Sequence, residues 1–157
     1  VFRRTPVKSR VRKCHLDAMA VDRLVHFTVQ ALSIFMGVGL IGLGVLCFVS
    51  PVGAAPAYGL GATTDALTLK WVQVAGIRDF SLGVSTLGLL IYNPRALRVF
   101  GPGTMLVALG DAVMTRDGPL QEHMHHVIGV IGISLLSIAS WFDTKLDPVD
   151  ATDYRRL

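Results

Sequence analysis

The chain has 157 residues, of which 52% are apolar and 17% charged, with a mean hydropathy of +0.54. Such a length allows one domain; the apolar content excludes a disordered chain, the 16 glycines lack a triplet period, and two cysteines do not make a disulfide scaffold. The net charge of +4 is not the footprint of a nucleic-acid-binding surface, because six of the 15 basic residues fall in the first 13 positions and form a tail.

This basic tail is assigned to residues 1–23, on the cytoplasmic side. Residues 31–49 then run for 19 positions without a charge. As a helix that stretch reaches roughly 28 Å at 1.5 Å per residue, about one hydrocarbon core. Gln30, Gly37 and Gly44 repeat every seven residues in this first helix and predict a packing seam. Gly37-Val38-Gly39-Leu40-Ile41-Gly42 matches the dinucleotide pattern G-x-G-x-x-G, but the fingerprint requires a preceding strand, so helix packing explains it. Ser50-Pro51 ends the segment. Asp65, in the following loop, is expected to be merely solvated.

Residues 71–92 form the second expected span. Gly76, Asp79, Gly83 and Thr86 share one of its faces, so Asp79 is expected to point into the bundle. Arg78 is turned about 100° away, onto a partly polar face with Ser81, Leu82 and Ser85. Asn93-Pro94 ends this span. The third, 97–114, carries Asp111 near its end, and Asp117-Gly118-Pro119 follows it. The fourth, 123–142, opens with Glu122, His123, His125 and His126. Residues 24–142 are therefore read as a four-span domain and 143–157 as a polar C-terminal tail. The expected fold class is all-α, an integral membrane four-helix bundle. A soluble bundle is disfavoured because residues 31–49 carry no polar stripe.

With both termini in the cytoplasm, twelve basic residues fall on that side, and only Lys70 and Arg116 on the other. Such a bias orients membrane helices. Trp71, Tyr92 and Trp141 fall at span ends, where aromatic belts sit. The basic start followed by an apolar run outlines a signal peptide, but its length and the three later spans favour a retained anchor. The expected location is a multi-pass position in an endomembrane, with the bilayer as the main partner.

Ionisable groups at bilayer depth are costly and default to function. The four-span topology brings Arg78, Asp79, Asp111 and His126, from three helices, into the same non-cytoplasmic half. These four are the candidate catalytic residues. One base and one acid suffice to open an epoxide. Asp79, beside Arg78, supplies the base; Asp111, in an apolar setting away from such help, supplies the acid; the roles could be reversed, and His126 could shuttle a proton. A lipophilic small molecule would enter from the bilayer. A zinc site at His123-x-His125-His126 with Glu122 would need ligands from other helices, so neither metal nor cofactor is expected. The structural alternative makes Arg78 and Asp79 a buried pair that fixes helix register.

Ala75-Gly76-Ile77-Arg78-Asp79-Phe80-Ser81-Leu82-Gly83, Leu109-Gly110-Asp111-Ala112 and His125-His126-x-Ile128-Gly129 resemble a family of small four-span membrane proteins of fungi and bacteria, catalogued as a domain of unknown function. The resemblance covers the spans and not the basic N-terminus. Membrane epoxide hydrolases of fungal polyketide pathways, of the aurovertin and citreoviridin type, are similar in size and topology. That likeness implies hydrolysis of a lipophilic epoxide in secondary metabolism. Soluble limonene-type epoxide hydrolases, with an Asp-Arg-Asp set, are an analogy of chemistry alone. The competing expectation is a non-catalytic accessory or scaffold protein of DoxX-like architecture.

Overall fold

The computed structural model describes residues 7–61, 63–116 and 120–143, with the side chains of 7–18, 120–123 and 125 left aside. All regular structure among the described residues is helical. Four long helices build the bundle: α1 (Val7–Val49), α3 (Ala66–Tyr92), α4 (Leu97–Met114) and α5 (Leu120–Phe142), with a short helix, α2 (Pro51–Ala54), between the first two. Asp117-Gly118-Pro119, expected to punctuate α4 and α5, lies outside the described residues.

α1 is far longer than its charge-free core, because residues 7–30 hold neither proline nor glycine. It stops at Val49, since Pro51 has no N–H and its ring excludes helical geometry at Ser50, which sits at φ −146° and ψ 72°. α2 and a 3-10 turn (Ala55–Tyr58) follow, closed by Gly59 in the left-handed region at φ 72°. Ala54 and Ala55 are fully buried against Cys47 and Val72, so this connector tucks into the end of the bundle. α3 starts where Asp65 accepts hydrogen bonds from Thr68 N (2.7 Å) and Thr68 Oγ1 (2.7 Å). Asp65 is thus the N-cap of α3, beyond its expected role as a solvated loop residue.

The buried side of α3 is Val72, Gly76, Asp79, Gly83 and Thr86, which contains the whole expected face. Its glycines meet those of α1 in antiparallel register. A Cβ on Gly44 would lie 2.7 Å from the Gly76 carbonyl oxygen, and one on Gly83 would lie 2.6 Å from that of Gly37. The seven-residue glycine spacing on both helices lets the backbones touch. Gly39 and Gly42, by contrast, have open space beside them, so only the first glycine of the apparent dinucleotide pattern packs against another helix. α4 and α5 make a similar approach, with Gly101 against Ser137.

The burial pattern runs opposite to that of a water-soluble bundle. Ser33, Asp79, Thr86, Thr104, Ser137 and Ser140 are buried, whereas Phe27, Phe35, Phe48, Ile77, Phe80, Ile91, Leu106, Ile131 and Trp141 are exposed, Phe35 to 72%. Large apolar groups outside and small or polar ones inside suit a lipid surround. Three stretches, Met19–Val49, Ala66–Tyr92 and Pro94–Met114, are long and apolar enough to cross a membrane, and α5 contributes a shorter apolar stretch, His126–Phe142. The protein is a multi-pass membrane helical bundle.

Candidate functional site

The small residues of α3 place Asp79 where the helices are closest, and its side chain is buried. Arg78 points from the neighbouring face, but its long side chain curls back. Arg78 Nε donates to Asp79 Oδ1 at 2.8 Å. Its two terminal nitrogens donate to Asp111 Oδ1 at 2.9 Å and Oδ2 at 3.0 Å, in the two-pronged geometry a guanidinium offers a carboxylate. One arginine therefore clamps α3 to α4 through two aspartates. The expectation that Asp111 stands away from Arg78 is corrected: Asp111 takes two of the three guanidinium bonds, because antiparallel packing brings the end of α4 level with the middle of α3.

Tyr58 completes the cluster. Its hydroxyl donates to Asp79 Oδ2 at 2.7 Å and lies 3.3 Å from Cys47 Sγ. Burial pushes the Tyr58 phenol up from its ordinary range, which keeps it a donor. Sequence reasoning overlooked Tyr58. The signal available was its connector: 51–61 holds no charge and is rich in Ala, Gly and Pro, so a lone phenol there has a bundle end to enter.

Beside this cluster lies a cavity of about 320 Å³. Met36, Leu40 and Leu43 of α1, Leu82 of α3, Val107 and Ala108 of α4, and Ile133 of α5 give it apolar walls. Tyr58, Asp79, Asp111 and His126 give it a polar end. Of the four residues singled out from the sequence, Asp79, Asp111 and His126 line the cavity, and Arg78 ties the two aspartates together. The His126 Nε2 atom is buried and has no hydrogen-bond partner among the described residues. Glu122, His123 and His125, weighed as zinc ligands with His126, have side chains outside the described residues. No group of three or more His, Cys, Asp and Glu able to hold a metal occurs among the described residues.

A second polar cluster occupies the opposite end of the bundle. His26 Nδ1 lies 2.7 Å from Asp143 Oδ2, and Asp143 is fully buried. Arg98, from the first turn of α4, donates through Nε to the Ser140 carbonyl at 2.8 Å and through a terminal nitrogen to the Asp143 carbonyl at 2.9 Å. These carbonyls lie at the C-terminal end of α5, where intrahelical donors run out and a cation is favoured. Behind them Val29, Leu97 and Leu136 form an apolar core.

An arginine clamped between two aspartates at the polar end of an apolar cavity, inside lipid-facing helices, defines a multi-pass membrane protein with a polar interior site. The chain belongs to the family described as Domain of unknown function (DUF4267), whose model matches residues 37–141. That match takes in the helices that carry Arg78, Asp79, Asp111 and His126. Neither the curated proteins nor the solved structures provide a match to the chain.

Proposed function

We propose that the cavity binds a lipophilic small molecule and that its polar end opens an epoxide on that molecule by hydrolysis. The observation that carries this reading is the Arg78 clamp on Asp79 and Asp111 at the end of the apolar cavity. Asp79 accepts a proton from water as the water oxygen bonds to an oxirane carbon. The carbon–oxygen bond of the ring breaks, and His126 relays the proton from Asp79 to the oxirane oxygen, accepting it at one ring nitrogen while giving one up from the other, and a vicinal diol leaves. Asp111, whose two oxygens both receive Arg78, holds the guanidinium in place, so the acid role passes from Asp111 to His126.

The topology that serves this chemistry has α5 as a fourth crossing, both termini in the cytoplasm of an endomembrane, and the site in the opposite half. Cysteines introduced at Leu60 and Asp150 are expected to label from opposite sides; labelling from one side ends the four-span topology. The enzyme reading is tested with purified protein in nanodiscs and a panel of lipophilic epoxides in ¹⁸O-water. The expected result is one ¹⁸O per diol, with turnover falling roughly 10²-fold or more in Asp79→Asn. A folded protein that converts none of the panel overturns it.

One observation favours a non-catalytic accessory role: all four carboxylate oxygens of Asp79 and Asp111 already receive a donor, from Arg78 or Tyr58. A purely structural clamp needs nothing more. Simultaneous Arg78→Met, Asp79→Leu and Asp111→Leu separates the two. Full retention of native turnover by that variant would mean the clamp is only structural.

A further inference from the structure

We propose that the cavity selects its occupant by charge and prefers a lipophilic primary amine, bound as the ammonium ion. The inference rests on the cavity being a ligand site, and not on epoxide turnover. Arg78 brings one positive formal charge and Asp79 with Asp111 two negative ones, so the clamp carries a net negative charge. Among the described residues at this end, Lys70 and Arg116 are exposed and do not line the cavity. An unbalanced charge inside a bundle surrounded by lipid is costly, and a cation in the cavity offsets it.

The hydrogen-bonding groups fit the same occupant. An ammonium has three donors and no acceptor. Each carboxylate oxygen has two lone-pair sites, and each here receives one donor, so acceptor capacity remains on Asp79 and Asp111. The Asp111 side chain is still 26% exposed and borders the cavity, which keeps that capacity within reach. His126 Nε2, without a partner among the described residues, supplies a third acceptor when its proton is on Nδ1. A carboxylate head group would instead meet two carboxylates. The alkyl chain lies along Leu40, Leu43 and Val107; about 320 Å³ is at the small end of ligand pockets, which suits chains near ten carbons.

The test uses the full chain in neutral phosphatidylcholine nanodiscs at neutral pH, with thermal protection by decylamine, decanol, decanoate and decyltrimethylammonium. Decylamine is expected to protect at a concentration at least tenfold below that of decanoate. It should also act tenfold below the quaternary ion, which has the charge but no N–H. Asp111→Asn is expected to erase the preference for the amine. Ala108→Trp, which fills the cavity and leaves the charges, is expected to abolish protection, and it carries the test if Asp111→Asn does not fold. Equal protection by decanoate, or amine protection that survives Ala108→Trp, overturns the proposal. Decanol binding with no preference for the amine overturns it while leaving the cavity a ligand site; protection by none of the four removes both. Epoxide turnover without amine binding overturns this inference alone.

Discussion

The two ends of the bundle use the same residue types to opposite effect. Each holds an arginine, an aspartate and a histidine. At one end Arg98 donates to the Ser140 and Asp143 carbonyls, and His26 pairs with the fully buried Asp143. The arginine there finishes a helix. At the other end all three guanidinium bonds of Arg78 go to side-chain carboxylates on two helices, and the cluster borders a cavity. Arg98 reaches backbone carbonyls at a helix end, which none of the bonds of Arg78 does. Backbone carbonyls at a helix end are a fixed need of the fold, whereas two carboxylates brought to one cation at mid-helix are no need of any helix. The first cluster is thus explained by stability, and the second leaves groups over for a ligand.

The largest effect expected to test this contrast comes from Arg78→Met. It leaves Asp79 and Asp111 together inside the bundle without a counter-charge, at a cost of about 3 to 5 kcal/mol. The triple variant that also replaces both aspartates with leucine should recover most of that loss, since an apolar set of similar volume is often neutral. Replacing Arg78 and Asp79 alone should not recover it, because Asp111 is then stranded. Thermal unfolding of the three proteins side by side decides whether Asp111 is a full member of the clamp.

Asp143→Ala should cost about 1 to 3 kcal/mol by leaving His26 short of its buried partner, while the ligand binding and turnover proposed for the far end stay unchanged. A matched loss of turnover at native stability would break the division between the two ends. Smaller again is Tyr58→Phe, which removes the donor to Asp79 Oδ2 and should cost roughly 1 kcal/mol, with a clear change in turnover or ligand affinity. A change in stability alone would reduce Tyr58 to a plug for the connector.

The smallest effect belongs to Asp65, at the exposed start of α3. Hydrogen bonds from Thr68 hold its carboxyl below the usual range, Thr68 Oγ1 first and Thr68 N second. A lowered folded-state pKa means the contribution is present above the unfolded value, about 3.9, and fades as pH falls through the folded one. Asp65→Ala should therefore lower thermal stability slightly at neutral pH, with the gap closing in acid. A gap that widens in acid would refute the cap.

Helix content, segment order and the inward face of α3 were legible in the amino-acid sequence, for a physical reason. A run of 19 uncharged residues has one low-energy solution in lipid, and Ser50-Pro51 and Asn93-Pro94 remove donors where helices end. Gly37 and Gly44 on α1, and Gly76 and Gly83 on α3, each marked a packing face because close approach in a bilayer requires small residues; that the two faces meet each other was decided by packing. The same reading also gathered Arg78, Asp79, Asp111 and His126 into one region, since a four-span order puts the start of the second span, the end of the third and the start of the fourth in the same half. Tertiary structure alone decided what each group does to the others. Helical angles placed Arg78 a face away from Asp79, yet a flexible side chain reaches both carboxylates, and no spacing rule reports where a guanidinium folds. Tyr58 and the pairing of His26 with Asp143, across 117 positions, depend on how the connector and the end of α5 dock. Local periodicity sets which way a helix faces; which distant polar groups meet is set by packing between helices, and that packing made one end a cap and set the other end's carboxylates beside a cavity.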